Sequence, residues 1–311
     1  MAIIAVAGGT GQLGQLIVEA LKTTTSHTVY ILSRSSNDEV SNRLKVPVFP
    51  VDYTNVGSLA KVLNENRIDI VISTVQATED AGNSQLNLIE AAVQSQSTKR
   101  FIPSDFGVPF HDFQLSAYAP LQWKLKAHQR LKTSGLEYTL VSNGFLMDFY
   151  ASPKVKSVAK GLTLFVDMAN NAAAIPGTGD VPVAFTYSLD VSKYVAALVG
   201  EQGWSERSII IGDKMTYKEL VALAEAVKGT KFDIKYDSLD KLKTLQVTEL
   251  PSHIPAYPVM PKQKLQAAVA GVGTRAAAGD ANLPDEDTLN KRFPQIKPLT
   301  MREFLQKAWK S

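Results

Sequence analysis

Three glycines and two basic residues carry the chemistry that this sequence suggests. Gly8, Gly11 and Gly14 stand in the stretch GGTGQLG (residues 8–14), directly after the apolar run IIAVA (residues 3–7). Backbone without Cβ lets the chain bend sharply, approach a pyrophosphate closely and pack a helix tightly on a strand. The N–H groups that open such a helix have no partner within it and face the phosphates. A simple loop without a ligand is the plain alternative. Here a strand precedes the glycines, and Leu13, Ile17, Ala20 and Leu21 follow at helical spacing, so a dinucleotide site is expected. About twenty residues further on, such folds carry Asp or Glu against a free ribose 2′-hydroxyl. This chain has Ser33 and Arg34 there, followed by Ser35 and Ser36. An arginine among hydroxyls suits a 2′-phosphate, which favours NADP(H) over NAD(H), the alternative being a surface arginine in a loop.

The second basic residue is Lys124, on a helix predicted from about residue 120 to 134. Leu121, Lys124, His128 and Leu131 recur at spacings of three and four and share one side. Lys126 lies with Gln122, Gln129, Arg130 and Thr133 on a solvated face, and Lys132 falls in the last turn, where a cation suits the helix dipole. Lys124 therefore points toward the apolar side, with no acid three or four positions away. If partly buried, such an amine gives up its proton more readily, which suits proton transfer near neutral pH. A lysine snorkelling past a leucine is the equally weighted alternative. His111, in an expected loop, is a second candidate for proton transfer.

These residues need a scaffold. Strands are predicted at 3–7, 28–33, 46–51, 68–74, 100–103 and 138–142, alternating with helical stretches, the pattern of a parallel sheet with crossover helices. Ligands bind at the carboxyl ends of such strands, which places Thr74 and Gln76 beside the diphosphate and ribose. Asp52 ends the third strand, where an adenine ring would lie; it either meets the ligand or caps the helix at 56–64. The expected fold is α/β: a Rossmann-like doubly wound parallel sheet over 1–150, then a smaller C-terminal α+β substrate-binding portion over 151–311. A strand near 208–212 is expected to return to the main sheet. In the second half, short strands at 162–165 and 181–185 flank a loop rich in Ala, Asn and Gly. Asp190 reads as a helix N-cap, and Thr216 with Glu219 as a capping box. Four prolines in 251–262 argue against helix or central strand. Residues 270–280 are small and glycine-rich, and an amphipathic helix begins near Thr300. Met147, Phe149 and Tyr150 are candidate pocket walls, and Tyr257 and Met260 a candidate lid, with plain packing as the alternative for each.

Composition narrows the class. The 311 residues are 45% hydrophobic and 20% charged with a net charge of +3, as in an ordinary globular protein. That charge is too small to suggest a nucleic-acid or membrane partner, so a small-molecule substrate is expected. No run of eighteen apolar residues exists. No basic segment precedes the first strand, so no signal peptide is expected, and a cytoplasmic location is. Zero cysteines exclude disulfides and thiolate chemistry. His27, His111, His128 and His253 are scattered, so no metal is expected. Oligomeric state is not legible.

The sequence resembles the NmrA-like / isoflavone reductase-like family of atypical short-chain reductases. The likeness rests on GGTGQLG at 8–14, LIEAAV at 88–93, RFIPSDFG at 100–107 and KLKAHQRLKTSGLEYTLVS at 124–142. It implies that Gly8, Thr10, Gly11, Gln12, Leu13 and Gly14 wrap the pyrophosphate and that Arg34 meets the 2′-phosphate. It also implies that Lys124 lies near the nicotinamide, which Ser104, Phe106, Asn143 and Phe145 line, core packing being the alternative for the two phenylalanines. The superfamily's Tyr-x-x-x-Lys pair is absent, since position 120 is Pro and Tyr118 is wrongly spaced. The expected activity is NADPH-dependent hydride transfer to a small aromatic or conjugated molecule, with Lys124 as proton donor or oxyanion stabiliser. A quinone reductase and an NmrA-type sensor that binds the cofactor without turnover are the alternatives.

Overall fold

The computed structural model describes residues 1–76, 82–110, 121–159 and 162–310. Six short strands form its main sheet: β1 (Ile3–Ala7), β2 (Thr28–Ser33), β3 (Val48–Pro50), β4 (Ile70–Ser73), β5 (Arg100–Ile102) and β6 (Glu137–Tyr138). All pair in parallel, in the order β3-β2-β1-β4-β5-β6. The crossovers carry α1 (Gln12–Thr24), α2 (Asp38–Leu44), α3 (Val56–Glu65), α4 (Gly82–Gln94) and α5 (Leu121–Lys132). This is the Rossmann arrangement, in which strand order reverses between β1 and β4 and opens a crevice at their carboxyl ends.

The two faces of the sheet follow from the twofold period of strands. Ile4 and Val6, with Ile70, Ile72 and Ile102, pack on Ile17, Val18 and Leu21 of α1. The intervening Ala5, Ala7, Val71 and Phe101 face the opposite layer, where Leu59 and Leu63 of α3, Leu88 and Ile89 of α4, and Ala127 and Leu131 of α5 cover them. Both faces are covered, so the strands read as unbroken apolar runs.

The second half adds β7 (Leu140–Ser142), β8 (Phe145–Leu146), β9 (Val166–Asp167), β10 (Ala172–Pro176), β11 (Val183–Thr186), β12 (Arg207–Ile209), β13 (Asp213–Met215) and β14 (Asp233–Asp237). Its helices are α6 (Ser188–Leu198), α7 (Tyr217–Lys228), α8 (Leu239–Lys243), α9 (Lys262–Ala278), α10 (Leu289–Arg292) and α11 (Met301–Trp309). The strand expected to return to the main sheet is β12. It pairs in parallel with β7, one residue beyond β6, in a two-stranded sheet of its own and not in the main sheet, and the Thr139 and Ser208 hydroxyls bond at 2.8 Å beside the pair. Val191, Tyr194, Val195 and Leu198 of α6 join α1 on the first face of the sheet. A separate core gathers Phe165, Phe185, Leu220, Val269 and Phe304.

Several expectations for this half need correction. The strand expected at 162–165 lies slightly later, as β9, and its partner β10 falls inside the stretch read as a loop. Ala and Pro are poor strand formers, and β10 is held by burial of Ala173, Ala174 and Ile175. The small residues near 270 belong to the 17-residue helix α9, whose buried Leu265, Val269, Gly273 and Ala276 follow helical spacing. Small side chains make that stripe hard to see by hydrophobicity alone. Residues Pro251–Ala256, read as non-helical, form a 3₁₀ helix with Pro251 in its first turn, where a missing N–H costs nothing. Asp190 sits inside the first turn of α6, not at its N-cap, which is Tyr187. Asp190 instead pairs with Lys193 at 2.7 Å and accepts the Leu299 N–H at 2.9 Å, tying down the C-terminal segment.

The capping box at Thr216 and Glu219 forms, and another, from Thr300 and Glu303, opens α11. Because α11 buries Met301, Phe304, Leu305 and Ala308, its start bears on the core. Thr300→Ala is expected to lower unfolding free energy by about 1 kcal/mol, read from the urea midpoint at unchanged slope.

Candidate active site

The glycine loop closes the crevice between β1 and β4. Gly8 adopts φ +74°, and a Cβ there would lie 2.9 Å from the Thr74 hydroxyl. Gly14 packs tighter still, its missing Cβ 2.4 Å from the Gly8 carbonyl oxygen. Thr74 holds the neighbouring strand end, its hydroxyl donating to Ala7 O at 2.9 Å. The first turn of α1 has no side-chain cap and no acid, so the N–H groups of Gln12, Leu13 and Gly14 stay open to an anion. Thr10 reaches Ser33 hydroxyl to hydroxyl at 3.2 Å, which joins the loop to the end of β2. These features fit a dinucleotide: a backbone cradle that any Cβ would fill and an uncapped helix start.

Beside the end of β2, Arg34 is exposed and forms no ion pair among the described residues. A second guanidinium, overlooked in the sequence, stands by: Arg43 of α2 donates to the Gln15 side chain, whose amide in turn donates to Thr10 O at 2.6 Å. The helix carrying it is short and buries only Val40, so no apolar stripe announces it. Asp52 neither caps α3 nor stands free. It accepts the Thr54 N–H at 2.8 Å and the Thr54 hydroxyl at 2.7 Å, while Asn55 caps α3. Gln76 is exposed.

Lys124 is not the lone amine its own helix suggests. Its Nζ lies 3.5 Å from Oδ1 of Asp105, on the loop after β5, with Lys124 22% exposed and Asp105 3%. The other carboxylate oxygen lies 3.3 Å from His128 Nε2, one helical turn along α5. Burial works to raise the Asp105 pKa, yet Lys124, His128 and Arg207 outweigh it and hold the carboxyl below its ordinary 3.8. The stability this gives is present above that ordinary value and fades as pH falls through the lowered one. Asp148 has the opposite sign. Burial raises its pKa despite hydrogen bonds from Val158 N, Ser188 N and the Ser188 hydroxyl, so its contribution fades as pH rises through the raised value.

The loop after β5 gathers the neighbouring candidates. Ser104 donates its N–H to Gln85 Oε1 at 2.7 Å, and Phe106 packs against the sheet. Asn143 is fully buried, donates its N–H to Gly107 O at 3.0 Å, and has a side-chain oxygen without a donor among the described residues. Phe145 is buried 6.4 Å from the Phe185 ring. His111 lies outside the described residues.

A cavity of about 1300 Å³ borders the start of α1, lined among others by Gln12, Leu16, Phe149, Leu162, Val259 and Met260. Lys124 and Asn143 are not in this lining. Met147 and Tyr150, expected as walls, are fully buried in the core. The segment Met147–Tyr150 is a 3₁₀ turn, in which residues three apart eclipse, so 147 and 150 turn inward together while Phe149 faces the cavity. Met260 borders the cavity, whereas the Tyr257 hydroxyl is taken by Glu249. Among the described residues no cluster is placed to hold a metal ion, and no helix is long and apolar enough to cross a membrane.

The fold and its glycine loop define a Rossmann-like α/β protein. The chain belongs to the NmrA-like family, whose model matches residues 2–305. It is 33% identical to oxidoreductase BOA1 of Botryotinia fuckeliana, over 98% of this chain and 99% of that one. Oxidoreductase swnN of Metarhizium robertsii is 29% identical over 99% and 98% of the two chains. Among solved structures, the binary complex of leucoanthocyanidin reductase with NADPH from Vitis vinifera has a TM-score of 0.75 at 19% identity, covering 98% of this chain and 99% of that chain. At that identity the likeness speaks for the fold.

Proposed function

We propose that this protein is an NADPH-dependent reductase of a small aromatic or conjugated organic molecule, with Lys124 supplying the proton or stabilising the oxygen that gains charge. One observation carries the reading: the Lys124 ammonium is held by a buried carboxylate at the carboxyl edge of a dinucleotide-type sheet. The relatives named oxidoreductases and the NADPH complex of the leucoanthocyanidin reductase support it.

The nicotinamide, when bound, supplies the hydride. The rest is the work of this chain. The loop at 8–14 and the open end of α1 hold the two phosphates. Lys124 Nζ donates to the substrate oxygen, directly or through a water, and recovers its proton from solvent across its exposed fraction. The cavity beside α1 shields the substrate from water.

The test is to mix the protein with NADPH and a panel of enones, quinones and aromatic ketones and follow cofactor absorbance. Oxidation of NADPH by at least one class is the expected result. Tight binding with no oxidation across the panel would leave the sensor reading in place. The choice of cofactor is tested separately with Arg34→Ala. NADPH affinity is expected to fall by more than about 1.5 kcal/mol, the worth of a charged hydrogen bond, with NADH affinity nearly unchanged. Equal losses for both would remove Arg34 from the phosphate site.

A further inference from the structure

We propose that Asp105 is the positioning residue for Lys124, holding its ammonium in place without neutralising it; this rests on the reductase reading above. Two features of the geometry point to it. First, Lys124 and His128 stand one helical turn apart on the same face of α5, and the two oxygens of one carboxylate divide between them, at 3.5 and 3.3 Å. A single buried acid therefore ties that face of α5 to the β5 loop by ion-pair contacts, with Asp105 Oδ1 itself left without a hydrogen bond among the described residues. Phe110 stacks on the His128 ring at 5.0 Å between centroids, and Arg275 of α9 donates to Val108 O at 3.0 Å and also to Pro109 O, which anchors the same loop from the far side.

Second, the carboxylate is shared. Lys124 of α5 and Arg207 of β12 act on Asp105 by their charge, His128 does so when protonated, and Asp105 in turn acts on Arg275 of α9. Arg275 also meets Asp280 at 3.4 Å, and Arg207 donates to the Ser142 hydroxyl at 2.6 Å. A lysine paired one-to-one with a carboxylate would present a neutral pair to the substrate. Here the one carboxylate is divided between Lys124 and other basic groups, so the amine is not paired one-to-one when it meets an oxygen that becomes negative. The Lys124–Asp105 contact is also longer than the roughly 2.7–2.9 Å of a tight charged hydrogen bond. An ammonium held at that length is free to advance on a substrate oxygen while remaining aimed.

Asp105→Asn is near-isosteric and removes the charge. Its kcat is expected to fall about 10²-fold with KM within about threefold, the signature of a misplaced catalytic group and not of a damaged pocket. Two further measurements separate positioning from general damage. In the Lys124→Ala background, Asp105→Asn is expected to have no additional effect on kcat, because Asp105 acts only through the amine. An equal fall in both backgrounds overturns the proposal. In the protein without cofactor, reductive methylation read by mass spectrometry reports how firmly the amine is held. The ratio of labelling at Lys124 to that at exposed Lys126 is expected to rise at least about threefold in Asp105→Asn. An unchanged ratio overturns the proposal whether or not the protein oxidises NADPH. A raised ratio in a protein inert to the whole panel ends the reductase reading and leaves the Asp105–Lys124 pairing supported. Should Asp105→Asn fail to fold, Asp105→Ser, which also removes the charge, enters the same cycle and the same labelling with the same expected outcomes.

Discussion

Lys124→Ala is expected to bind NADPH as the parent does and to turn over about 10²–10⁴-fold more slowly, the range that positioned general acids contribute. The substitution leaves the glycine loop, Arg34 and the start of α1 untouched, since none of them contacts α5 in the hydrogen bonds that hold the loop. Its structural cost is moderate. Asp105 loses one partner but keeps His128, Arg207 and Arg275 nearby. Breaking a fully buried pair costs about 3–5 kcal/mol, and with Lys124 partly exposed and 3.5 Å away the loss should be nearer 1–2 kcal/mol. Lys124→Met retains the aliphatic stem and separates packing from charge: kcat should fall as in the alanine protein while the urea midpoint moves less. The measurements are initial rates under saturating NADPH, and cofactor fluorescence for binding. A Lys124→Ala protein with parental kcat would detach the amine from the reaction altogether.

What the sequence made legible here was local. The glycine spacing, the apolar runs of β1 and β4 and the Thr216–Glu219 capping box each depend on residues a few positions apart, which sequence reading finds directly. Lys124 is largely buried on α5, and its side of the helix is readable from spacing because helix geometry is local as well. Its partner was not legible. Asp105 lies on another element, and a search for acids one turn along the same helix cannot find a carboxylate that arrives by tertiary packing. The same limit explains Met147 and Tyr150, whose apolar character suited a pocket wall and a core equally well until the 3₁₀ turn fixed which way they faced. Arg43 is a third case: a polar helix with a single buried residue leaves no stripe, yet it brings a second guanidinium to the edge of the loop.

Gly14→Ala should introduce the tightest clash of any methyl group added to a glycine of the loop at 8–14. The added Cβ would lie 2.4 Å from the Gly8 carbonyl oxygen, 2.7 Å from Gly9 Cα and 2.8 Å from the Thr74 hydroxyl. Two of these three neighbours are backbone, so no side-chain rotation relieves the clash, and α1 must move away from the loop. Overpacking of this kind costs about 1–3 kcal/mol in stability. The larger effect is on the ligand, because the displaced helix carries the open N–H groups of its first turn away from the phosphates. Each charged hydrogen bond lost is worth about 1.5–3 kcal/mol, so two of them weaken NADPH by more than about 100-fold. Gly57 supplies the control. It also sits in the first turn of a helix, α3, but a Cβ there meets only the Asn55 side chain at 3.6 Å, an ordinary contact. Gly57→Ala should therefore leave NADPH affinity unchanged and hold or slightly raise stability, through the better helix propensity of alanine. Isothermal titration of both variants with NADPH and NADH decides the matter: the Gly14 loss should be equal for the two cofactors, since they share the diphosphate, whereas the Arg34 loss should not. A Gly14→Ala protein that binds NADPH like the Gly57→Ala control would mean that the diphosphate does not rest on α1, and the nucleotide site would have to be sought elsewhere in the crevice.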